Sequence, residues 1–241
     1  MKKKYDIVYS IGRDCWCASY LWECGVRLTS GPFDWLTKAS FEDRFILMLN
    51  DFKYFLDKKY LKLMPKPTNR PVDENNDYYE NIKTHLYFWH DFSCDKSFDE
   101  AYPLVKEKYE RRIKRFYRNI KNKKNVLLVW FSQVDQTPDD VVLDLCKRFC
   151  LKMNKKIDFL IIEHKEGLNE ARSYILADNI KRWHCHARKN DENGKPVSNG
   201  NKELVFPIFS TIQLKKSMIQ NNYLLRLLGK VKYLFFKGNK K

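Results

Sequence analysis

Residues 125–162 have the sequence NVLLVWFSQVDQTPDDVVLDLCKRFCLKMNKKIDFLII, in which two apolar runs enclose an amphipathic segment. The runs NVLLVWF (125–131) and IDFLII (157–162) are typical of strands that are buried on both faces. Between them, Thr137 is a candidate N-cap, Pro138 takes the first helical position, and two aspartates follow in the first turn. A strand, a helix and a strand within about 40 residues predict a βαβ unit, so the two strands should be parallel and joined by a right-handed crossover.

The N-terminus predicts another strand of the same sheet. Residues 5–11 (YDIVYSI) are mostly β-branched or aromatic and end at Gly12, which predicts a buried strand that runs into a tight turn. A short strand at 180–183 brings the parallel strands to four. The sequence therefore predicts an α/β class: a three-layer fold with a mainly parallel sheet of about four or more strands, flanking helices and a basic C-terminal helical tail.

Apolar residues at helical spacing predict the other helices. They lie at residues 15–24, 41–52, 101–121 and 168–176. Residues 57–80 contain three prolines and an acidic patch, so we expect them to form a loop or lid. Residues 187–202 are polar and are expected to form an excursion from the fold.

The composition is that of one globular domain. The 241 residues are 44% hydrophobic and 15% aromatic, which is enough to bury a sizeable core and excludes a disordered or collagen-like chain. The sequence has neither a signal-peptide core nor an apolar window of about 18 residues, so we expect a cytoplasmic protein. We expect a single catalytic-type domain at 1–211 and a basic amphipathic tail at 212–241.

The chain is strongly basic, with 46 Lys and Arg against 30 Asp and Glu and a net charge of +16. Basic residues crowd positions 106–124, and residues 213–241 include eight of them and no acid. Such surfaces suit anionic lipid headgroups at the inner membrane face, or an anionic cofactor such as coenzyme A. For the tail, the alternative is an ordinary terminal helix. No nucleic-acid-binding motif is present, so nucleic acid is not an expected partner.

The residues that follow each predicted strand are site candidates, because ligands of open parallel sheets bind beyond the carboxyl ends of the strands. Cys15 follows the first strand at the expected start of a helix. There the helix dipole and nearby backbone N–H groups lower the pKa of a thiol and can form an oxyanion pocket. Cys15 is the candidate nucleophile, and the alternative is a small buried residue in a strand-to-helix turn. As a nucleophile, it should be alkylated faster than the other six cysteines.

A thiolate needs a base or a charged partner, and two of the five histidines are candidates. His90 lies among aromatic residues beside Asp91, whereas His164 lies at the expected end of a buried strand. Asp34 has an apolar, turn-like context, so it either caps a turn or orients a site residue. The Cys and His spacings do not match zinc-site patterns, so we expect no metal and free thiols.

Four motifs in this order resemble a bacterial family of papain-like cysteine peptidases: YDIVYSIG (5–12) followed by Cys15, GPFDW (31–35), HDF (90–92) and YERRIKRF (109–116). The resemblance covers roughly residues 1–165. It places the cysteine of the family on Cys15 and its His-Asp pair on His90 and Asp91. We therefore expect Cys15 to be the nucleophile, His90 to be the base and later the acid, and Asp91 or Asp34 to orient the imidazole. Four residues in or directly after the first two motifs are candidates for substrate binding: Ser10, Gly12, Arg13 and Trp35. The chain is also distantly similar to capsule-locus acetyltransferases that bind coenzyme A and keep a Cys–His pair.

These observations together predict a thiol-dependent hydrolase or acyltransferase that acts on a small-molecule, peptide or glycan substrate. A hydrolase of this kind needs no cofactor. One alternative is an O-acetyltransferase of surface polysaccharide biosynthesis, with coenzyme A or acetyl-coenzyme A as the cofactor. Another is a non-catalytic basic module that binds a membrane surface or a polyanion, in which the Cys and His residues only pack.

Overall fold

The computed structural model describes residues 3–66, 73–134 and 136–215. The regular elements follow one another in the order β1 (Ile7–Ser10), α1 (Cys15–Glu23), β2 (Leu36–Thr37), α2 (Phe41–Leu49), β3 (Leu61–Met64), β4 (Asn76–Asn81), β5 (Leu86–Ser93), α3 (Phe98–Asn122), β6 (Val126–Ser132), α4 (Asp139–Met153), β7 (Asp158–His164), β8 (Arg172–Ala177), β9 (Ile180–Cys185) and α5 (Lys202–Ser210).

The larger sheet has five strands in the order β1, β6, β7, β9, β8. The first four are parallel, and β8 pairs antiparallel with β9 at one edge. The predicted βαβ unit is confirmed, because β6 and β7 pair in parallel and α4 connects them. All seven residues of each of these strands are buried, as their continuous apolar sequence predicts.

Helices cover both faces of this sheet, which confirms an α/β fold with a mostly parallel sheet and flanking helices. On one face, Val8, Val129 and Phe131 pack with apolar residues of α1 and α5. On the other face, Tyr9 and Trp130 pack with α2, α3 and α4. The alternation arises because successive residues of a strand point to opposite faces of the sheet.

The loop or lid predicted at residues 57–80 is wrong for much of the described part, 57–66 and 73–80, while residues 67–72, with Pro67 and Pro71, lie outside the described residues. The described part contains β3 and β4, which form a second, antiparallel sheet in the order β2, β5, β4, β3. Buried Asn81 ties this sheet to the preceding turn, where its side-chain amide donates to the carbonyls of Tyr54 and Phe55 at 2.7 and 2.9 Å. Strand β3 has only four residues, none of them buried, and β4 is largely polar, so their own sequence gives little strand signal and their pairing depends on tertiary contacts.

The helix predicted at 168–176 is also wrong, because residues 172–177 form strand β8. Its residues pair with β9 through Arg172↔His184 and Ser173↔Trp183, and this pairing overrides the weak local preference. The helix predicted at 101–121 is confirmed and begins earlier, at Phe98. There Ser97 and Glu100 form a reciprocal capping box.

The first residues of the predicted tail pack against the domain. Ile212 and Leu214 are buried beside the α1 and α5 layer, and Lys215 forms an ion pair with Asp6 at 2.5 Å. The Tyr5 N–H donates to the carbonyl of Gln213 at 2.8 Å. Residues 216–241, which hold most of the predicted tail, lie outside the described residues. In the described part of the chain, no helix is long and apolar enough to span a membrane.

Candidate active site at the carboxyl end of β1

The segment after β1 stays against the sheet until α1 begins. The Ile11 N–H donates to the Val129 carbonyl at 2.8 Å, and the Arg13 N–H donates to the Phe131 carbonyl at 3.0 Å. Gly12 lies between them, where a Cβ atom would come within 2.4 Å of the Cys17 Cβ. Only glycine allows this approach, so Gly12 lets α1 start directly against the end of the strand.

Cys15 is the first residue of α1, as predicted. Asp14 is the N-cap, and its Oδ1 accepts from the Trp16 N–H at 2.9 Å. Burial, together with the smaller effect of the negative charge of Asp14, raises the pKa of the Cys15 thiol to about 12. The expectation of a lowered pKa is therefore wrong, because desolvation of the thiolate and the neighbouring carboxylate outweigh the helix N-terminus.

The first backbone donors after β1 hold the loop and do not face an open pocket. The Gly12 N–H is 3.3 Å from the Oγ of buried Ser10, and the Arg13 N–H is bound by β6. The N–H groups of Asp14 and Cys15 come next along the chain and remain the candidate oxyanion donors. Ser10 and Gly12, two of the predicted substrate-binding residues, shape the loop in this structure, and their contact with substrate stays a prediction.

Arg44, on α2, holds the same loop from the other side. Its Nη2 donates to the carbonyls of Arg13 and Leu36 at 2.8 and 3.0 Å, and its guanidinium lies 5.1 Å from the centre of the Phe33 ring. The side chain is fully buried, and Nη1 has no hydrogen-bond partner among the described residues. Burial lowers its pKa to about 9, and the charge of Asp14 opposes that shift.

Sequence reasoning missed Arg44, although a signal was present. The residue lies on the apolar face of α2, three positions after Phe41 and next to Phe45. A charged residue in a buried helical stripe is uncommon and usually has a specific partner. Here its partners are backbone carbonyls of the loop after β1 and of the segment that follows the GPFDW motif.

Asp34 and Trp35 belong to a buried turn built around Arg27. The Asp34 Oδ2 accepts from the Arg27 Nε at 2.6 Å and from the Gly31 N–H at 3.0 Å. The Arg27 guanidinium also lies over the Trp35 ring at 5.2 Å. Burial raises the pKa of the Asp34 carboxyl, whereas Arg27 lowers it. Of the two roles foreseen for Asp34, the structure shows the turn-stabilising one, and its charged partner is an arginine.

His90 and Asp91 are adjacent on β5 but make separate contacts. The exposed His90 has its Nδ1 2.9 Å from the Oδ2 of Asp73. The Asp91 carboxylate accepts from Tyr109 Oη at 2.9 Å and from Lys108 Nζ at 2.5 Å. Asp91 therefore does not orient His90, because neighbouring strand residues point in different directions, and Asp73 takes that position.

The resulting pair is an imidazole with a carboxylate on Nδ1, which leaves Nε2 for proton transfer. The hydrogen bond from His90 lowers the pKa of Asp73. The pair lies on the antiparallel sheet, whereas Cys15 follows β1 of the parallel sheet. No hydrogen bond joins His90 to Cys15 in the ranges that the structure describes.

His164, the other candidate base, is buried at the end of β7 with both ring nitrogens engaged. Its Nδ1 accepts from the Ala187 N–H at 3.0 Å, so the proton is on Nε2, which lies 3.0 Å from the Oε2 of Glu166. Burial lowers the pKa of His164 and keeps the ring neutral. Because neither nitrogen is free, His164 joins the ends of β7 and β9 and cannot accept the thiol proton in this arrangement.

These features define an α/β protein with a cysteine at the carboxyl end of its first strand and a histidine–carboxylate pair on a second sheet. Residues 6–167 match the family described as "Putative papain-like cysteine peptidase (DUF1796)", and the chain belongs to this family. The chain is also 30% identical, over 170 residues, to the uncharacterized protein R408 of Acanthamoeba polyphaga mimivirus, an alignment that covers 64% of this chain and 76% of the viral protein. No solved structure matches the chain.

The predicted family resemblance is confirmed, and it extends over nearly the residues expected. The relative found is viral. The bacterial character of the protein and the similarity to capsule-locus acetyltransferases stay predictions. Among the described side chains, no group of three His, Cys, Asp or Glu residues could hold a metal ion.

The influence of Asp14 on Cys15 can be measured with Asp14→Asn. Asn caps a helix about as well as Asp, so the substitution removes the charge and keeps α1. We expect the pKa of Cys15 to fall and its alkylation by iodoacetamide at mildly alkaline pH to become roughly three- to tenfold faster. Peptide mass spectrometry over time gives the rate for each thiol.

The experiment needs a Cys94→Ser background, because Cys94 is exposed and should be labelled before the more buried thiols. The matched control is Asp144→Asn, which removes an exposed carboxylate of α4 that pairs with Arg148 at 3.2 Å. An unchanged Cys15 rate in Asp14→Asn would show that Asp14 does not control this thiol.

Proposed function

We propose that the protein is a thiol-dependent hydrolase in which Cys15 is the nucleophile. The position of Cys15 carries the proposal: it is the first residue of α1, beyond the carboxyl end of β1, and it directly follows a loop held by Gly12 and Arg44. This edge is where parallel α/β sheets bind their ligands. Membership in a family described as cysteine peptidases supports the same assignment.

In the proposed reaction, the Cys15 sulfur attacks a carbonyl carbon of the substrate while its proton passes to a base. A carbon–sulfur bond forms, the bond to the alcohol or amine breaks, and the leaving group takes up the proton. Water then attacks the thioester and releases the acid and the free thiol. Because burial raises the pKa of Cys15, the thiol must be deprotonated during attack and is not a stored thiolate.

His90 is our proposed base, with Asp73 as the group that orients it. The support is the contact of His90 Nδ1 with Asp73, which leaves Nε2 free, together with the blocked nitrogens of His164. Transfer of the thiol proton requires His90 and Cys15 to meet in the substrate complex. Arg13 and Trp35 stay candidates for substrate contact. The substrate class also stays a prediction: a small molecule, a peptide or a glycan.

The test uses p-nitrophenyl acetate as the acyl substrate and casein as the peptide substrate. Because exposed Cys94 could react directly with the ester, the reference protein is Cys94→Ala. Adding Cys15→Ala should lower the release of p-nitrophenolate at least about a hundredfold and abolish the acetylated form seen by intact-protein mass spectrometry. Equal turnover in the two proteins would refute the nucleophile assignment.

The same assay distinguishes the two candidate bases, His90 and His164, and the two carboxylates that could orient the base, Asp73 and Asp91. His90→Ala should lose the activity, and Asp73→Asn should lose part of it, while His164→Ala and Asp91→Asn affect it only through stability, which thermal denaturation measures. If folded His164→Ala lost the activity and His90→Ala kept it in full, the base would be His164, at the end of β7, and our assignment of His90 would be wrong.

A coenzyme A-dependent acetyl transfer uses the same covalent step with a different donor and acceptor. Supplying acetyl-coenzyme A to the Cys94→Ala protein distinguishes the two, since only an acetyltransferase would become acetylated at Cys15 by this donor.

The proposal that the basic tail binds an anionic membrane concerns residues outside the described part of the chain. To test it, binding to anionic liposomes can be compared between the full-length protein and a chain truncated after Lys215, which keeps Ile212 and Leu214 because they are buried in the domain.

A further inference from the structure

A second site lies at the same edge of the parallel sheet, beyond the ends of β6, β7 and β9. A cavity of about 430 Å³ opens there, and its described lining includes Gln133, Glu166, His186, Arg188 and Lys189. The mechanism proposed for Cys15 uses none of these side chains. The carboxyl ends of parallel strands are where this fold class binds ligands, so the location favours a binding site.

Arg188 is held in place in this cavity. Its backbone N–H lies 3.4 Å from His164 Nδ1, and its Nε donates to the Gln133 carbonyl at 2.7 Å. The Nε contact leaves both Nη groups of the guanidinium for a ligand. A guanidinium held in this way offers two parallel donors, which match the oxygens of a phosphate or a carboxylate.

The carboxylate that lines the cavity, that of Glu166, accepts a hydrogen bond from His164. Glu166 has one oxygen 3.0 Å from His164 Nε2 and the other 3.4 Å from His186 Nδ1. Its charge is therefore partly engaged within the protein, whereas Arg188 has no carboxylate partner among the described residues. Lys189 adds a second positive charge and makes only a loose contact with Glu203, at 3.6 Å.

We propose that this cavity is an anion-binding site, in which Arg188, with His186 and Lys189, binds a phosphate or carboxylate group of a small ligand. The anion would lie beside the two Nη groups of Arg188, within the part of the cavity that the polar segment 187–202 lines. The site is distinct from the Cys15 thiol, and its binding of an anion does not depend on Cys15 acting as a nucleophile.

Isothermal titration of the full-length protein with inorganic phosphate, and separately with malonate, tests the proposal at physiological salt. We expect saturable binding of at least one of the two anions, and the preferred one identifies the group that the site recognises. Arg188→Gln should weaken that binding at least about tenfold. Arg172→Gln, which removes an exposed charge on β8, should leave it unchanged.

His186→Gln is a second variant that should also weaken binding, in case Arg188→Gln disturbs the loop. Absence of binding by the wild-type protein would overturn the proposal, as would equal affinity in Arg188→Gln or an equal loss in Arg172→Gln. Cys15→Ala should bind the anion as the wild type does. A failure of this site is therefore distinguishable from a failure of the proposed hydrolase function.

Discussion

Arg182→Met is expected to lower the free energy of unfolding by about 3–5 kcal/mol, the usual cost of breaking a buried ion pair on one side. Arg182 and Glu163 are both buried, and the guanidinium binds Glu163, Asp139 and the carbonyl of Thr137. Without it, the Glu163 carboxylate keeps only the neutral donors Trp130 and Thr137, at 3.0 Å each. Urea denaturation followed by circular dichroism measures the loss.

The loss should grow with pH. Burial already raises the pKa of Glu163, and Arg182 opposes that shift, so removing Arg182 raises the pKa further. A carboxyl whose folded pKa lies above its unfolded value loses stability as pH rises from the unfolded pKa through the folded pKa. The deficit of Arg182→Met should therefore be smaller in mildly acidic buffer than at neutral pH.

The double variant Glu163→Gln with Arg182→Met should recover much of the lost free energy of unfolding. A double variant as unstable as the single one would contradict the unpaired-charge explanation.

Arg44→Met should lower the free energy of unfolding by at least about 2 kcal/mol, because each buried carbonyl left without a donor costs about 1–3 kcal/mol. The carbonyls concerned are those of Arg13 and Leu36, which Arg44 Nη2 joins across the loop after β1. Arg44→Lys keeps the charge and some donors, so it should recover part of the loss. The measurement is again equilibrium denaturation.

Arg148→Met is the matched control, since Arg148 is an exposed residue of α4 paired with Asp144. Its effect should stay within about 0.5 kcal/mol. In folded Arg44→Met, the alkylation rate of Cys15 should change while that of Cys94 does not, because Cys15 closely follows the loop that Arg44 holds and Cys94 does not. A stable Arg44→Met protein with an unaltered Cys15 rate would show that Arg44 does not hold this site.

Some features of the candidate site can be predicted from the local sequence, and others arise only in the tertiary structure. The Gly12 turn and the start of α1 at Cys15 follow from residues close together in the chain, and the family membership follows from the sequence match over residues 6–167. The partner of His90 does not, because Asp73 lies 17 positions away and meets it only after β4 and β5 have paired. Asp91, the adjacent residue that the sequence predicts as the partner of His90, instead binds Lys108 and Tyr109.

The sequence by itself determined the four parallel strands, the βαβ unit and the long helix, because continuous apolar runs and helical spacing record which faces are buried. Only the tertiary structure decided the second sheet and strand β8. Strand β4 is largely polar, β8 is largely exposed, and β2 pairs with β5 through Leu36↔Phe88, which lie far apart in the chain. It also decided the state of the Cys15 thiol. A helix N-terminus alone predicts a lowered pKa, but the burial that raises it depends on packing that no local pattern contains.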